Sequence, residues 1–426
     1  MKKRFLFFFL LFFQCVVITA QDINYARKII DTLCSPSMHG RGFVSNGDHT
    51  AALFIKNEFK KNAISFFDTS YFQYFYLPVN TLPGKIEVYA NKTKLIPAQD
   101  YLVSASSASF KGTYKIQKLD KKNASNLSSL KKFLATDFSN SVLLIDQEGI
   151  SDKEILKTID LIEYSNPINA KAIIKETDRL TWGVSDALYP ASFPTITVKK
   201  NSLPLKTKKI KIIIENEQHA SHEFLNIIGY IKGNTKPDSF IVFTAHYDHL
   251  GQMGSDVFFP GANDNASGIA LLLNLAKHYA IEKPAYSVVF IALAGEEVGL
   301  LGSQYFASNP IIPLKNIRFL INLDLTGTGD DGITVVNGTI FPKEFELLTK
   351  INEENKYMPA VKKRGEAAIS DHYPFFAKGV PSFYIYTLGG ISEYHSIYDL
   401  PKTLPLTKYN ELFNLLTHFV NTFSEK

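Results

Sequence analysis

The sequence predicts an α/β protein with a mixed, mostly parallel central sheet, helices on both faces of it, and a β-rich inserted domain. Three observations carry this. From His222 onward, nearly continuous apolar runs such as "SFIVFTAH", "YSVVFIAL" and "IRFLINLDL" alternate with amphipathic stretches, as strands covered on both faces do. Between about residues 90 and 215 the texture changes to short β-type runs separated by Lys/Asn/Ser turns. The chain has 426 residues, 45% hydrophobic and 20% charged, which gives length for two domains and a substantial core.

In chain order, Lys2, Lys3 and Arg4 precede an apolar run from Phe5 to Val17, then Ile18-Thr19-Ala20. A basic start, a short apolar stretch and small residues describe a secretory signal peptide cleaved near Ala20, so residues 1–20 read as a leader and the chain as exported, to the periplasm or the medium. The run is short for a bilayer span, which argues against a retained anchor. Phe12-Phe13-Gln14 ahead of Cys15 is too bulky for a lipidation site. Cleavage removes three positive charges and no negative one, lowering the formal charge from +5 to +2. That leaves no electrostatic case for nucleic acid, and none for a membrane once the leader is gone. Only Cys34 remains, so an intrachain disulfide is excluded and the core, helped by metal, has to hold the fold.

Asn24 to Cys34 and Asp48 to Ala63 carry apolar residues at helical spacing, joined by a Gly/Ser-rich turn around "HGRGFVSNG". Tyr71 to Val88 is aromatic and alternating, which predicts strands. Within the insert, "SVLLID", "AKAIIK", "TITV" and "IKIIIE" read as strands, with one helix near Lys153–Ile162. The Lys-rich patch from Lys199 to Lys211 reads as a strand with a solvated face. Further on, "FLNIIGYI", "GITVV" and "PSFYIYT" join the strands already named, with helices at Ala266–Ile281, Pro342–Tyr357 and Leu406–Phe423. Residues 21–89 and 216–426 therefore form one domain and 90–215 the insert.

In open α/β sheets ligands gather at the carboxyl ends of the strands. Here those ends carry metal-type residues: His246 and Asp248 after "IVFTA", the adjacent Glu296-Glu297 after "VVFIALAG", and Asp324 after "FLINL". Asp264 lies in "GANDNASG", which opens a helix, and His395 lies in "SEYHSIYD". Any one of these is more often a hydrogen-bonded structural residue than a ligand. Together, two histidines and three carboxylates suit two divalent ions sharing one carboxylate. Imidazole mixed with carboxylate favours zinc over magnesium or calcium. Two such ions, about 3.5–4 Å apart, stabilise both the attacking and the departing oxygens of a hydrolysis. They also make two neighbouring buried glutamates tolerable, one for metal and one for substrate.

The stretches "AHYDHLG", "GANDNASG", "AGEEVGLLGS", "INLDLTG" and "YHSIYD" resemble the co-catalytic di-zinc aminopeptidase family, whose members include bacterial leucyl aminopeptidases, aminopeptidase Y and glutamate carboxypeptidases. The likeness covers about residues 25–85 and 220–425. It implies that Asp264 bridges two zinc ions, one completed by His246 and Asp324 and the other by Glu297 and His395. It further implies that Glu296 is the base for a metal-bridging water, that the Asp248 side chain accepts the second ring N–H of His246, and that the Asp264–Asn265 peptide is cis. Simple bacterial members carry an oxyanion-stabilising tyrosine before "SDH"; here "GEAAI" precedes Ser370-Asp371-His372, and Tyr394 takes that role instead. His249 and His372 read as structural, and Asp371 as a support for a ligand. "FPTITVKKN" is similar to the end of a protease-associated domain, with a lineage-specific β domain as the alternative, and an insert of either kind is placed to form a lid over the site.

The resemblance implies removal of N-terminal residues from peptides. Two enzyme alternatives share the fold: a glutaminyl cyclase-like acyltransferase with one zinc, and a glutamate-type carboxypeptidase. A receptor-like domain without catalysis would have lost ligand positions, and all five are occupied here. Nothing in the sequence bears on oligomeric state.

Overall fold

The computed structural model describes residues 22–423, so the signal-peptide reading of residues 1–20 lies outside it. Among the described residues no helix is long and apolar enough to cross a membrane. The central sheet has eight strands: β1 (Phe72–Thr81), β2 (Glu217–Ile231), β3 (Lys236–His246), β4 (Tyr286–Leu293), β5 (Ile317–Leu323), β6 (Gly332–Val336), β7 (Val361–Lys363) and β8 (Ser382–Leu388). They lie in the order β1-β2-β4-β3-β5-β8-β6-β7. β4, β3, β5 and β8 run parallel, while β1–β2, β2–β4 and β6–β8 pair antiparallel, giving the mixed, mostly parallel sheet that the apolar runs predict.

Alternate residues of the inner strands feed two cores, which is why these strands are apolar throughout. Ile241, Phe243, Val288, Phe290, Phe319 and Ile321 pack on one side with the helices Ile23–Leu33, Gly47–Lys61, Gly268–Ile281 and Tyr409–Thr422. On the other side, Val242, Val289, Ile291 and Leu320 meet Phe306 and Phe375, from the short helices Leu301–Ser308 and His372–Ala377. Each such fully buried side chain contributes roughly 1.5–3 kcal/mol. The two short helices escape a reading by periodicity because each is barely two turns long.

Residues 86–214 build a second eight-stranded sheet. Its centre, Phe110–Leu119, Ser141–Ile145, Ile173–Thr177 and Thr195–Lys199, is parallel. The helices Leu127–Leu134 and Lys153–Ser165 cover one face through Leu130, Ile155, Ile159 and Ile162. This segment is thus α/β in texture, since parallel strands need crossovers, and "LSSLKKFL" is only eight residues long, too short for its apolar spacing to announce a helix. The Lys199–Lys211 patch is not one strand: one strand ends at Lys199, the next begins at Lys209, and Asn201 and Lys206 between them take positive φ around Pro204.

Candidate active site

Parallel pairing brings β3 and β4 to their carboxyl ends at one level, with His246 opposite Leu293, and β5 ends beside them at Leu323. His246 is the last residue of β3, Asp324 follows β5, and Glu296 and Glu297 lie in the turn after β4. Asp264 occupies the irregular turn Ala262–Ser267, with extended backbone at Asp264 and a cis peptide to Asn265, just before helix Gly268–Ile281. His395 comes from the loop beyond β8.

These five side chains converge. His246 Nε2 lies 3.4 Å from Asp264 Oδ1 and 3.4 Å from Asp324 Oδ1. His395 Nε2 lies 3.1 Å from Asp264 Oδ2 and 3.2 Å from Glu297 Oε2. Asp264 therefore presents one oxygen to each imidazole. Glu296 sits apart from its neighbour, with a carboxylate oxygen within 4.8 Å of ligand atoms of both His246 and Asp324.

The donor set fits divalent cations. Four donors tetrahedrally placed about zinc at ~2.0–2.1 Å are separated from one another by about 3.3 Å, which is the spacing of these pairs. Asp248, Asp264, Glu297, Asp324 and Asp371 are all buried, and among the described residues no Lys or Arg side chain pairs with any of them or with Glu296. Such a concentration of carboxylates is very costly without positive charge. Without metal the cost falls on protons. Burial, reinforced by Glu297, Asp371 and Asp324 against the opposing pull of His246, raises the pKa of Glu296 far above the usual carboxylate range. Burial disfavours charge on His395, yet its contacts with Asp264 and Glu297 outweigh this and push its pKa up to about 11. For His246, burial is likewise outweighed by Glu296 and Asp324.

Neighbouring groups hold the donors in place. Thr244 donates to Asn322 at 2.6 Å, Asn322 to Ser370 Oγ at 2.8 Å, and Ser370 to Asp324 Oδ2 at 3.0 Å, a chain that fixes the Asp324 carboxylate. Asp399, fully buried, accepts the N–H groups of Asn263 (2.9 Å) and Asp264 (3.0 Å). Burial lifts its pKa to about 6 in spite of those donors. Arg41, also fully buried, donates to the carbonyls of Tyr247, Leu33, Pro260, Gly261 and Asp264. It clamps the Asp264 turn from behind. A Cβ on Gly40 or Gly42 would strike the backbone of Gly251, so glycines beside Arg41 permit that close approach. From the loop joining Ile173–Thr177 to Thr195–Lys199, the Trp182 carbonyl accepts from His395 Nδ1 at 2.8 Å and its N–H donates to the His395 carbonyl at 3.0 Å. The Trp182 ring stacks on Phe259 at 4.6 Å and donates to Val103.

Sequence reasoning missed Arg41, Trp182, Ser370 and Asp399 as site residues, although Ser370 and Asp399 stand inside quoted motifs. One expectation needs correction. The second ring nitrogen of His246 meets the backbone carbonyl of Asp248 at 3.1 Å, while the Asp248 carboxylate is 3.8 Å away. That carboxylate accepts instead the N–H groups of Glu296 and Glu297, each at 3.2 Å, because the carbonyl two residues on already closes the turn. Burial raises the Asp248 pKa to about 7. His249, expected to be structural, holds a proposed ligand: its Nδ1 lies 2.8 Å from Glu297 Oε1, so it orients that carboxylate. Tyr394 stacks on His395 at 3.8 Å and is 45% exposed. Desolvation, then the negative charge of Asp264, Glu297, Asp324 and Glu296, raises its pKa, so its hydroxyl stays protonated. Ser303 donates to Asp371 at 2.6 Å, and burial lifts the Asp371 pKa to about 6.

His372 is fully buried, and among the described residues neither ring nitrogen has a well-formed hydrogen bond; burial depresses its pKa to about 4, against the opposing pull of the Ser370 and Ala367 backbone. The unfolded chain binds this proton near pH 6.5, the folded chain only near 4, so acid favours unfolding between those values. Against His372→Phe, the wild type is expected to lose stability progressively as pH falls below 6.5, by an amount on the order of 3 kcal/mol that stops growing near pH 4. Urea unfolding of both proteins across that range checks this; parallel curves would contradict it.

Residues 226–420 match peptidase family M28. A probable zinc metalloprotease of Pyricularia oryzae is 40% identical over 111 residues, covering 25% of this chain and 22% of the relative. The aminopeptidase YwaD of Bacillus subtilis is 29% identical over 204 residues, covering 44% of this chain and 41% of the relative. The chain thus spans less than half the length of these curated relatives. The solved structure of a zinc aminopeptidase from Bacillus subtilis superposes with a TM-score of 0.69, at 20% identity, over 93% of both chains, so the fold is shared along nearly the whole chain.

Proposed function

We propose that this chain, whose residues 226–420 belong to peptidase family M28, is an exported zinc aminopeptidase that removes N-terminal residues from peptides. One observation carries the reading: Asp264 turns its two oxygens toward two different imidazoles, 3.4 Å from His246 and 3.1 Å from His395. His246, Asp264 and Asp324 would hold one zinc, and Asp264, Glu297 and His395 the other. Bound there, the ions supply Lewis acidity toward the scissile carbonyl and make water a nucleophile near neutral pH.

The chain's own groups do the rest. The Glu296 carboxylate takes a proton from the attacking water and returns it to the departing nitrogen; a base contributes about 10²–10⁴-fold in such a role. Tyr394 donates its hydroxyl proton in a hydrogen bond to the substrate carbonyl oxygen as that oxygen gains charge. Residues 21–89 and 216–426 form the catalytic domain, and 90–215 an inserted domain that reaches the site through Trp182 and restricts entry. The leader-type sequence of residues 1–20 supports export.

A peptide library digested with zinc-loaded protein and read by mass tests this. Stepwise shortening from the N-terminus, abolished by a chelator and restored by zinc, is the expected result. Loss of ammonia from glutamine-initiated peptides would make the protein a cyclase, and shortening from the C-terminus a carboxypeptidase; either overturns the proposal.

A further inference from the structure

A second cluster of metal-type donors lies outside the site already described. Asp48 and His49 open the helix Gly47–Lys61, and His222 and Glu223 sit on β2 where it passes that helix. One donor atom from each of Asp48, His49 and His222 lies within 4.8 Å of the other two. His222 Nε2 is 2.7 Å from Asp48 Oδ2, and His49 Nδ1 is 3.3 Å from Asp48 Oδ1. Asp48 and His222 are buried, whereas the His49 side chain is 24% exposed, which leaves an approach from solvent.

A packing role explains only half of this. The contact between Asp48 Oδ2 and His222 is an ordinary buried hydrogen bond joining helix to strand. The other half is a looser contact: among the described residues Asp48 Oδ1 and His49 Nδ1 are buried with only each other for company at 3.3 Å, a separation that pairs them when His49 carries a proton and otherwise leaves both unsatisfied. Two adjacent polar atoms in that condition are costly, and a shared cation relieves both. Their 3.3 Å separation is again about the edge of a tetrahedron around zinc.

The surroundings also suit a ligand histidine. His49 Nε2, on the far side of the ring from the cluster, lies 3.6 Å from Glu223 Oε1. The other Glu223 oxygen accepts from the Tyr76 hydroxyl at 2.6 Å, which fixes that carboxylate. A carboxylate behind an imidazole sets the tautomer that leaves the opposite nitrogen free to bind metal. His222 is held in a wall of aromatic rings, edge-on to Phe43 and Phe224 at 5.1 Å each.

We infer that Asp48, His49 and His222 form an additional binding site for a divalent transition cation, with two imidazoles, one carboxylate and a solvent-facing fourth position, His222 Nε2 releasing to solvent the proton it otherwise donates to Asp48. Two nitrogens and one oxygen suit zinc better than magnesium or calcium. Its effect is to fasten the helix Gly47–Lys61 to β2, and it stands independently of the peptidase reading.

Zinc added to the full-length chain tests it, with bound metal counted by elemental analysis after equilibrium dialysis in excess zinc. The wild type is expected to hold one zinc more than His49→Ala, whatever number the catalytic residues hold. His49→Ala removes a partly exposed side chain, and circular dichroism verifies its fold. His222→Gln, which keeps a hydrogen bond to Asp48, is expected to lose the same ion. In thermal unfolding, zinc should raise the midpoint of the wild type more than that of either variant. Equal zinc content in the wild type and a folded His49→Ala overturns the inference.

Discussion

Glu296→Ala is expected to lower kcat by about 10³-fold or more while leaving bound zinc at the wild-type level. The two halves of this result come from different geometry. Glu297 faces His395 and His249 through its two oxygens, whereas among the described residues the Glu296 carboxylate makes no such contact and stands near His246 and Asp324. On the proposed mechanism two adjacent carboxylates divide the work, the turn after β4 sending their side chains to different neighbours. A loss of about 10³-fold corresponds to about 4 kcal/mol of transition-state stabilisation. Glu297→Ala should behave otherwise, losing zinc as well as turnover. Steady-state kinetics together with metal analysis separate the two variants, and full turnover by Glu296→Ala removes this residue from the role of base.

Arg41→Ala is expected to destabilise the protein by about 3–5 kcal/mol and to weaken metal binding. The guanidinium is fully buried and donates to five backbone carbonyls on three separate segments, three of them, those of Pro260, Gly261 and Asp264, in the turn that carries Asp264. Removal takes a donor from each of those carbonyls, only that of Gly261 keeping another in the Ala266 N–H at 3.2 Å among the described residues, and leaves a cavity behind the turn that carries the proposed shared carboxylate. Arg41→Lys keeps the charge and loses the planar fork, so it should recover only part of the loss. Denaturant unfolding with and without zinc measures both effects; wild-type stability in Arg41→Ala would mean that the turn holds itself.

Much of this was legible in the chain. His246, Glu296, Glu297 and Asp324 each follow an apolar run, and parallel register makes residues at such ends neighbours whatever their separation in sequence. Asp264 and His395 were legible from motif rather than from strand position. Arg41 was hidden because "HGRGFVSNG" looks like any polar turn, and only the fold shows that Gly40 and Gly42 let this turn press against Gly251. Trp182 was hidden for another reason: its hydrogen bonds to His395 are made by backbone atoms, which any residue type supplies. The role of Asp248 went astray in the same way, a carbonyl doing what a carboxylate was expected to do. Side-chain chemistry is written in a sequence, and the backbone's share of a site is not.

Crystals of the zinc-loaded chain, measured above the zinc absorption edge, test the central claim most directly. Two anomalous peaks are expected flanking Asp264, one at about 2.0–2.2 Å from His246 and Asp324 and the other at the same range from Glu297 and His395. A single peak at Asp264, or none within reach of it, would contradict a paired-ion centre.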